Sequence, residues 1–324
     1  MNTTTQQISA RRHVVLGGLG FLGHELVRSL NGTRTPTVIV DRVDRFRRAT
    51  EDTNSPDVVR IEVGSLSDPI FRTLFECGDV VFDLWNYGGP LLPPGGISNH
   101  AESTVFGAIK MIESAVSAGV NRIVFASSGG AVYGVTPFIA VSETARAEPI
   151  SHYGLAKLGV EHYLELFKNV TGANYLILRL ANVYGPSNRF GPSRNVVANI
   201  LRCLLEGTPF IVWGDGNVTR DYVFLEDAIQ AFRLASESTL ERGIFNIGTG
   251  VGTTISGLAD LCSEITGRIL DIRYERARGC DVPFSVLDCR KAEKYLGWTP
   301  RVPLNKGIAA TWDHAQKQYR AMAL

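Results

Sequence analysis

A glycine-rich turn close to the beginning of the chain places the tightest constraint on its fold. The segment Gly17-Gly18-Leu19-Gly20-Phe21-Leu22-Gly23 follows a short apolar run and precedes apolar residues at helical spacing over residues 20–30. Glycines let the backbone turn sharply and approach a pyrophosphate, which rests on the N-terminus of the following helix. The turn therefore predicts a strand–turn–helix unit that binds a dinucleotide. The alternative is a turn that serves only the packing of strand against helix.

Strand-like and helix-like segments alternate through the first half of the sequence. Apolar runs bounded by turn residues predict strands at residues 13–17, 37–41, 80–85, 122–126 and 175–180. An alternating pattern typical of an edge strand predicts a further strand at 58–63. Apolar residues at helical spacing predict helices at residues 20–30, 98–118 and 151–170. Such alternation is typical of an α/β fold, and we expect a doubly wound parallel sheet of the Rossmann type with right-handed crossovers.

The alternation breaks after about residue 185, where Gly, Pro and Asn cluster. Helices are expected at 196–206 and 254–266, a strand at 243–247, and short helices near the end of the chain. We therefore expect two interleaved parts. The dinucleotide-binding domain covers residues 11–185 with returning segments near 221–250, and a smaller substrate-binding lobe covers 186–220 and 251–324.

Charge and cysteine content exclude several classes of protein. The formal net charge over 324 residues is +1, which argues against nucleic acid or an anionic membrane as the main partner. The five cysteines are widely spaced and include no Cys-x-x-Cys pair, so we expect reduced thiols rather than disulfides or a zinc site. No apolar run approaches the length that crosses a membrane. We therefore expect a cytoplasmic protein without a metal.

An acidic residue follows the second expected strand. Asp41 stands about twenty residues after the glycine turn, the spacing at which a carboxylate accepts hydrogen bonds from the ribose of a bound dinucleotide. Because a carboxylate at this position repels a 2′-phosphate, the sequence predicts NAD rather than NADP.

Tyr153 and Lys157 lie four residues apart within the expected helix at 151–170. Residues at this spacing share a helix face, and a lysine cation beside a phenol lowers the pKa of the phenol. The phenolate could take the proton of a sugar hydroxyl while a hydride leaves the same carbon. The alternative is an ordinary amphipathic helix with a packed tyrosine and a solvated lysine.

Two serines, Ser127 and Ser128, end the strand that precedes this helix. A serine hydroxyl there could donate a hydrogen bond to the substrate oxygen as that oxygen loses its proton. The alternative is a buried serine bonded to the backbone. Because ligands of open parallel sheets bind beyond the carboxyl ends of the strands, the turn, the serines and the Tyr-Lys helix would converge at one edge.

Further segments give the chain a family resemblance from about residue 13 to 315. They are Ser127–Gly134, Tyr153–Lys157, Leu178–Pro186, Trp213–Gly216, Thr219–Asp227, Phe245–Gly250 and Lys291–Trp298. With the glycine turn, they make the chain resemble the extended short-chain dehydrogenase/reductases, and among these the nucleotide-sugar epimerase/dehydratase group. The resemblance implies a tightly held NAD that is reduced and reoxidised in each cycle, and a UDP-sugar as the substrate.

The resemblance also assigns roles to residues. Tyr153 would be the base, and Lys157 would lower its pKa and bind the nicotinamide ribose. The other cofactor contacts implied are Gly17, Gly20, Phe21, Leu22, Gly23, Asp41, Ser65, Leu66 and Leu84. The substrate contacts implied are Asn182, Asn195, Trp213, Arg220, Arg278 and Ser285, with the arginines at the diphosphate and the tryptophan near the uracil. For either arginine, the alternative is a surface salt bridge, for instance between Arg220 and Asp221.

The chain departs from the family pattern around the expected hydroxyl. Gly129 stands where the family has Ser or Thr, so the hydroxyl must come from Ser128 or Ser127. Gly130 and Ala131 replace the acidic residues that the dehydratases and decarboxylases of the family carry, which disfavours both of those reactions.

Three departures concern the cofactor and the sugar. Asp83 replaces the usual histidine of the fourth strand, and Ser65 replaces the usual aspartate beside the adenine. Ser285 stands where related epimerases carry either a bulky tyrosine or a smaller residue, so the pocket is expected to admit an N-acetylhexosamine.

Three functions remain open on the sequence alone. The first is a 4-epimerase that acts on a UDP-hexose or UDP-N-acetylhexosamine through a 4-keto intermediate, in a pathway such as polysaccharide biosynthesis. The second is a nucleotide-4-ketosugar reductase, and the third is a non-catalytic dinucleotide-binding module on the same fold. In each case a homodimer is expected, formed through a four-helix bundle of the helices at 98–118 and 151–170.

Overall fold

The computed structural model of the chain describes residues 12–31, 33, 35–46, 58–85, 96–186, 195–279 and 281–322. Its strands are β1 (His13–Leu16), β2 (Thr37–Arg42), β3 (Val58–Val63), β4 (Val80–Asp83), β5 (Arg122–Ser128), β6 (Tyr175–Leu180), β7 (Asn182–Tyr184), β8 (Phe210–Trp213), β9 (Thr219–Phe224), β10 (Arg242–Ile247), β11 (Gly252–Thr254), β12 (Ile272–Glu275) and β13 (Phe284–Ser285).

The α-helices follow the same order along the chain. They are α1 (Phe21–Leu30), α2 (Val43–Phe46), α3 (Phe71–Leu74), α4 (Gly96–Ala101), α5 (Gly107–Ser117), α6 (Gly129–Val132), α7 (His152–Thr171), α8 (Val196–Glu206), α9 (Leu225–Glu237), α10 (Ile255–Thr266), α11 (Arg290–Leu296) and α12 (Leu304–Met322). A π-helical segment, Glu102–Phe106, joins α4 to α5.

Seven parallel strands form the central sheet in the order β3-β2-β1-β4-β5-β6-β10. Most of these strands are buried on both faces, as a parallel sheet covered by helices requires. Helices α1 and α9 pack on one face and α5 and α7 on the other, and each face has its own apolar core. The predicted α/β doubly wound sheet is confirmed.

A smaller part of the fold forms from later segments. Strands β11, β9 and β13 make a second sheet to which β7 is paired, and β8 pairs with β12. Helices α8, α10 and α12 enclose a separate apolar core beside them. Strand β9 leads directly into α9, which packs on the large sheet, so the chain passes from the small part back to the large one at this point.

Several predicted elements differ in detail. The helix expected at 98–118 is divided into α4, the π-helical segment and α5. The helices expected near the end of the chain were predicted as short, which is wrong for α12, a helix of 19 residues. Glycine and proline residues between positions 88 and 96 predict an irregular loop, and residues 86–95 lie outside the described residues. None of the described helices combines the length and apolar character needed to cross a membrane.

Candidate active site

The glycine turn brings α1 close against the end of β1. Gly17 has a φ of 75°, a left-handed conformation that favours glycine. A Cβ atom on Gly23 would lie 2.2 Å from the carbonyl oxygen of Gly17, so no side chain fits there. A Cβ atom on Gly17 itself would lie 3.0 Å from the carbonyl oxygen of Leu84, which places the turn beside the end of β4.

The N-terminus of α1 suits an anionic group. Gly20 precedes the helix, and within the described residues no side chain caps the amides of the first turn, which contains Phe21, Leu22 and Gly23. Uncapped amides and the helix dipole together attract a phosphate. The residues of the turn therefore fit the pyrophosphate of a dinucleotide.

Asp41 fastens the end of β2 to this turn. Its carboxylate accepts hydrogen bonds from the backbone amide of Leu19 at 2.8 Å and from that of Arg42 at 2.8 Å. Burial raises the pKa of Asp41, and the two backbone hydrogen bonds oppose that shift. The carboxylate thus lies at the edge of the sheet where the sequence placed it, and it also orders the turn.

The remaining predicted cofactor residues lie on the loops that follow β3 and β4. Ser65 is half-buried, and its hydroxyl accepts a hydrogen bond from the backbone amide of Ser67 at 3.2 Å. Leu66 is buried against Gly107, where an added Cβ atom would lie 3.0 Å from that of the leucine. Leu84 is partly buried against the core that includes α1.

Tyr153 and Lys157 occupy the first two turns of α7, which begins after the side-chain cap of Ser151. Tyr153 is half-buried, whereas the Lys157 side chain is buried. The Nζ atom of Lys157 donates to the carbonyl oxygens of Ala126 at 2.8 Å and Trp85 at 3.5 Å. Burial lowers the pKa of Lys157 to about 8. The lysine is therefore not solvated, and it lies at the carboxyl ends of β4 and β5.

The two serines at the end of β5 have different environments. Ser127 is buried, and its hydroxyl donates to the carboxylate of Glu161. Glu161 also forms a buried ion pair with Arg179, with a shortest N···O distance of 2.6 Å. Ser128 is half-buried, and its side chain points to the opposite face of the strand.

A side chain at residue 129 would require a neighbouring leucine to move. A Cβ atom on Gly129 would lie 2.6 and 2.8 Å from the two methyl carbons of Leu287 and 3.2 Å from the carbonyl oxygen of Arg179. By contrast, a Cβ atom on Gly130 would lie 3.7 Å from both Asn182 Oδ1 and Ser285 Oγ. Asn182, Ser285 and Gly130 are thus brought together beside the end of β5.

The predicted diphosphate residues are also brought together. Arg220 pairs in register with Ser285 across β9 and β13, and it donates to the carbonyl oxygen of Val282 at 2.6 Å. Burial lowers the pKa of Arg220, and the positive charge of Arg278 contributes to that shift. Arg278 in turn forms an ion pair with Asp281 at 2.8 Å. Two arginines therefore face one region.

The alternative pairing of Arg220 with Asp221 finds no support in the bonds of Asp221. Its carboxylate accepts hydrogen bonds from the backbone amides of Thr249, Gly250 and Leu287. Asp221 is buried and organises the loop after β10.

Trp213 and Asn195 differ in their availability to a ligand. The Trp213 side chain is exposed, and the guanidinium of Arg278 lies 5.2 Å from its ring centroid. Asn195 caps α8 by accepting from the amides of Val197 and Ala198, and its amide group donates to the carbonyl oxygen of Val183 at 2.9 Å. Its side chain is thus engaged in capping.

Sequence reasoning missed two groups that belong to the site. Asp281, the partner of Arg278, carries no distinctive local pattern. Glu161 does carry one, because it continues the four-residue spacing of Tyr153 and Lys157 along one face of α7.

The family model described as "NAD dependent epimerase/dehydratase family" matches residues 13–248. The chain belongs to this family. The UDP-glucose 4-epimerase of Mycolicibacterium smegmatis is 31% identical over 93% of this chain and 97% of its own length. The dTDP-4-dehydro-6-deoxyglucose reductase of Escherichia coli is 28% identical over 92% of this chain and 97% of its own length.

A solved structure of a relative matches nearly the whole fold of this chain. The UDP-glucose 4-epimerase of Thermotoga maritima, crystallised with UDP-glucose, superposes with a TM-score of 0.87 at 32% identity. The match covers 95% of this chain and 99% of that one. The structural match therefore extends over more of the chain than the family model does.

Proposed function

We propose that the chain is an NAD-dependent nucleotide-sugar 4-epimerase that acts on a UDP-hexose or a UDP-N-acetylhexosamine. The observation that carries the proposal is the position of Lys157. Its buried ammonium group lies at the carboxyl ends of β4 and β5, one helical turn from Tyr153 and close to the glycine turn. This is the arrangement that proton abstraction beside a dinucleotide requires.

The glycine turn, the N-terminus of α1 and Asp41 would hold NAD, which when bound would accept the hydride from C4 of the sugar and later return it. Tyr153 takes the proton of the C4 hydroxyl as the carbonyl forms, and it returns that proton to the new epimer. The Lys157 cation stabilises the phenolate. Ser128 donates a hydrogen bond to the C4 oxygen, since the hydroxyl of Ser127 is bonded to Glu161.

The nucleotide must stay anchored while the 4-keto sugar turns over. Arg220 and Arg278 would hold the diphosphate, because guanidinium groups match phosphate oxygens in charge and geometry. Asn182 would add a further contact, and the exposed face of Trp213 would lie against the uracil. Asn195 would act through the cap of α8.

The space around Gly130 and Ser285 bears on the choice of sugar. Neither residue carries a bulky side chain, and neither supplies an acid that could drive loss of water or handle a carboxylate. The pocket would therefore admit an N-acetyl group on the sugar.

The proposal also covers the oligomeric state, the cellular location and the pathway. Apolar side chains of Phe106, Leu155, Leu166 and Val170 are exposed on the π-helical segment and on α7, which suits a homodimer formed through these helices. A cytoplasmic location and a role in polysaccharide biosynthesis would accompany the activity.

The decisive experiment is incubation of the purified protein with a panel of UDP-sugars without added cofactor. Formation of 4-epimers by protein that retains NAD would support the proposal. Conversion of 4-ketosugars with stoichiometric consumption of reduced cofactor would instead identify a reductase. Binding of NAD without any turnover would identify a binding module. Tyr153→Phe is the control, which should retain NAD and lose turnover.

A further inference from the structure

Asp83 is a buried carboxylate for which the proposed reaction has no evident role. It ends β4 and is 2% exposed. Its neighbour two positions earlier, Val81, belongs to the apolar core beneath α5 and α7, and alternate residues of a strand share a face. Asp83 therefore points towards the helix that carries Tyr153 and Lys157.

The backbone of Trp85 connects Asp83 to Lys157. Asp83 Oδ1 accepts a hydrogen bond from the Trp85 amide at 3.1 Å, and Lys157 Nζ donates to the Trp85 carbonyl oxygen at 3.5 Å. Asp83 also pairs across the sheet with Phe125, whose ring centroid lies 4.7 Å from Lys157 Nζ. The Asp83 carboxylate and the Lys157 ammonium group therefore share two neighbours, Trp85 and Phe125.

We propose that Asp83 is a positioning residue that keeps Lys157 in its cationic form beneath Tyr153. A buried ammonium group tends to lose its proton because the low-dielectric interior disfavours charge. A lysine that has lost its proton no longer stabilises the phenolate. A buried carboxylate close by favours the protonated form of the lysine, because opposite charges attract strongly where water is excluded.

The other ionisable groups around Lys157 do not replace this function. Glu161 lies one turn further along α7, but its oxygens are bonded to Arg179 and Ser127. His100 of α4 is neutral or cationic and cannot supply a negative charge, and its pKa is lowered by burial and, in smaller part, by the charges of His152 and Lys157. In the described part of the chain, the charge that acts on Asp83 is that of Lys157.

The shifts of the two groups have the directions expected for such a pair. Burial lowers the pKa of Lys157 to about 8, while Asp83 and then Glu161 oppose the shift. Burial raises the pKa of Asp83, while Lys157 opposes that shift. Each charge therefore favours the ionised form of the other, and removal of either one should favour the neutral form of its partner.

The test uses the full chain, with Asp83→Asn as the first variant. Asparagine keeps an oxygen that accepts from the Trp85 amide but removes the charge. The pKa of Lys157 is followed by NMR of isotopically labelled lysine side chains, with its signal identified by its loss in Lys157→Met. We expect the Lys157 titration to move down by about one pH unit or more, as the loss of one nearby charge predicts.

Two control variants separate charge from packing. Glu165→Gln removes an exposed acid of the same helix and should leave the Lys157 titration unchanged. Asp83→Glu restores the charge and should restore the titration. An unaltered Lys157 titration in a folded Asp83→Asn protein would overturn the proposal.

A second measurement covers the case in which Asp83→Asn does not fold. In Lys157→Met the Asp83 carboxyl group loses its cation and should become protonated, which gives a new carboxylic-acid band in the infrared spectrum. A spectrum without that band would overturn the proposal.

The proposal rests on the roles proposed above for Tyr153 and Lys157. Neither the NMR nor the infrared measurement needs cofactor or sugar, so the outcome is independent of whether the protein proves to be an epimerase. With epimerase activity in hand, the alkaline limb of kcat should move to lower pH in Asp83→Asn, with little change in KM.

Discussion

Gly129 and Leu287 pack so closely that a methyl group on residue 129 would lie 2.6 Å from a methyl carbon of the leucine. Gly129 belongs to α6, directly after the two serines of β5, and Leu287 is fully buried behind it. The hydroxyl-bearing side chain that the family usually carries at this position therefore fits this chain only if Leu287 moves. The Leu287 side chain occupies the space that a side chain at residue 129 would need.

Gly129→Ser should consequently destabilise the protein. Overpacking of a filled core costs about 1–3 kcal/mol, which a thermal or denaturant unfolding measurement resolves. The matched control is the same substitution in a Leu287→Ala background, where the space has been opened and the added cost should largely vanish. An equal cost of Gly129→Ser in both backgrounds would show that Leu287 is not the obstacle.

The two serines of β5 should respond differently to replacement by alanine. Ser128→Ala should lower kcat by about a hundredfold, the effect of losing one donor to a developing oxyanion, with little change in stability. Ser127→Ala should reduce stability by about 1–3 kcal/mol, because the buried Glu161 carboxylate loses a donor. Steady-state kinetics and unfolding of both variants check this, and a larger loss of kcat in Ser127→Ala than in Ser128→Ala would reverse the assignment.

The sequence predicted the large sheet well, because most of its strands are short apolar runs set between turn residues. Strands β3 and β6 and helix α8 have the predicted bounds. Periodicity was less informative for β9 and for β13, which has only two residues. Both strands pair with segments far away in the chain. Local patterns do not encode such long-range pairing.

In the candidate site, too, the sequence predicted features that depend on local spacing and missed contacts between distant residues. The glycine turn and the Tyr-Lys pair depend on local spacing, and the structure places them at neighbouring strand ends. The choice between Ser127 and Ser128 depends instead on Glu161, a residue 34 positions away from Ser127. The connection of Asp83 to Lys157 passes through the backbone of Trp85, which no sequence pattern reveals.

Arg278→Lys tests whether the shape of the guanidinium matters as well as its charge. Arginine can bind Asp281 and a phosphate through its planar fork while lying over Trp213, whereas lysine offers a point charge. The KM for a UDP-sugar should rise about tenfold, since a charged hydrogen bond contributes about 1.5 kcal/mol or more. The value of kcat should change little, because the reacting carbon is remote from the diphosphate. A wild-type KM would show that the positive charge alone suffices at residue 278 and that the guanidinium fork is not needed.

Ser285→Tyr tests whether residue 285 determines which sugar the pocket accepts. Ser285 Oγ faces Gly130, so a tyrosine at 285 would occupy the space proposed for an N-acetyl group. Turnover of UDP-N-acetylglucosamine should fall by about tenfold or more, the effect of about 1.4 kcal/mol of lost binding, whereas turnover of UDP-glucose should persist. Ser285→Ala is the matched control, since it removes the hydroxyl without filling the space and should leave the ratio of the two rates near its wild-type value. A parallel loss of both substrates in Ser285→Tyr would mean that residue 285 supports the fold of the pocket and does not select the sugar.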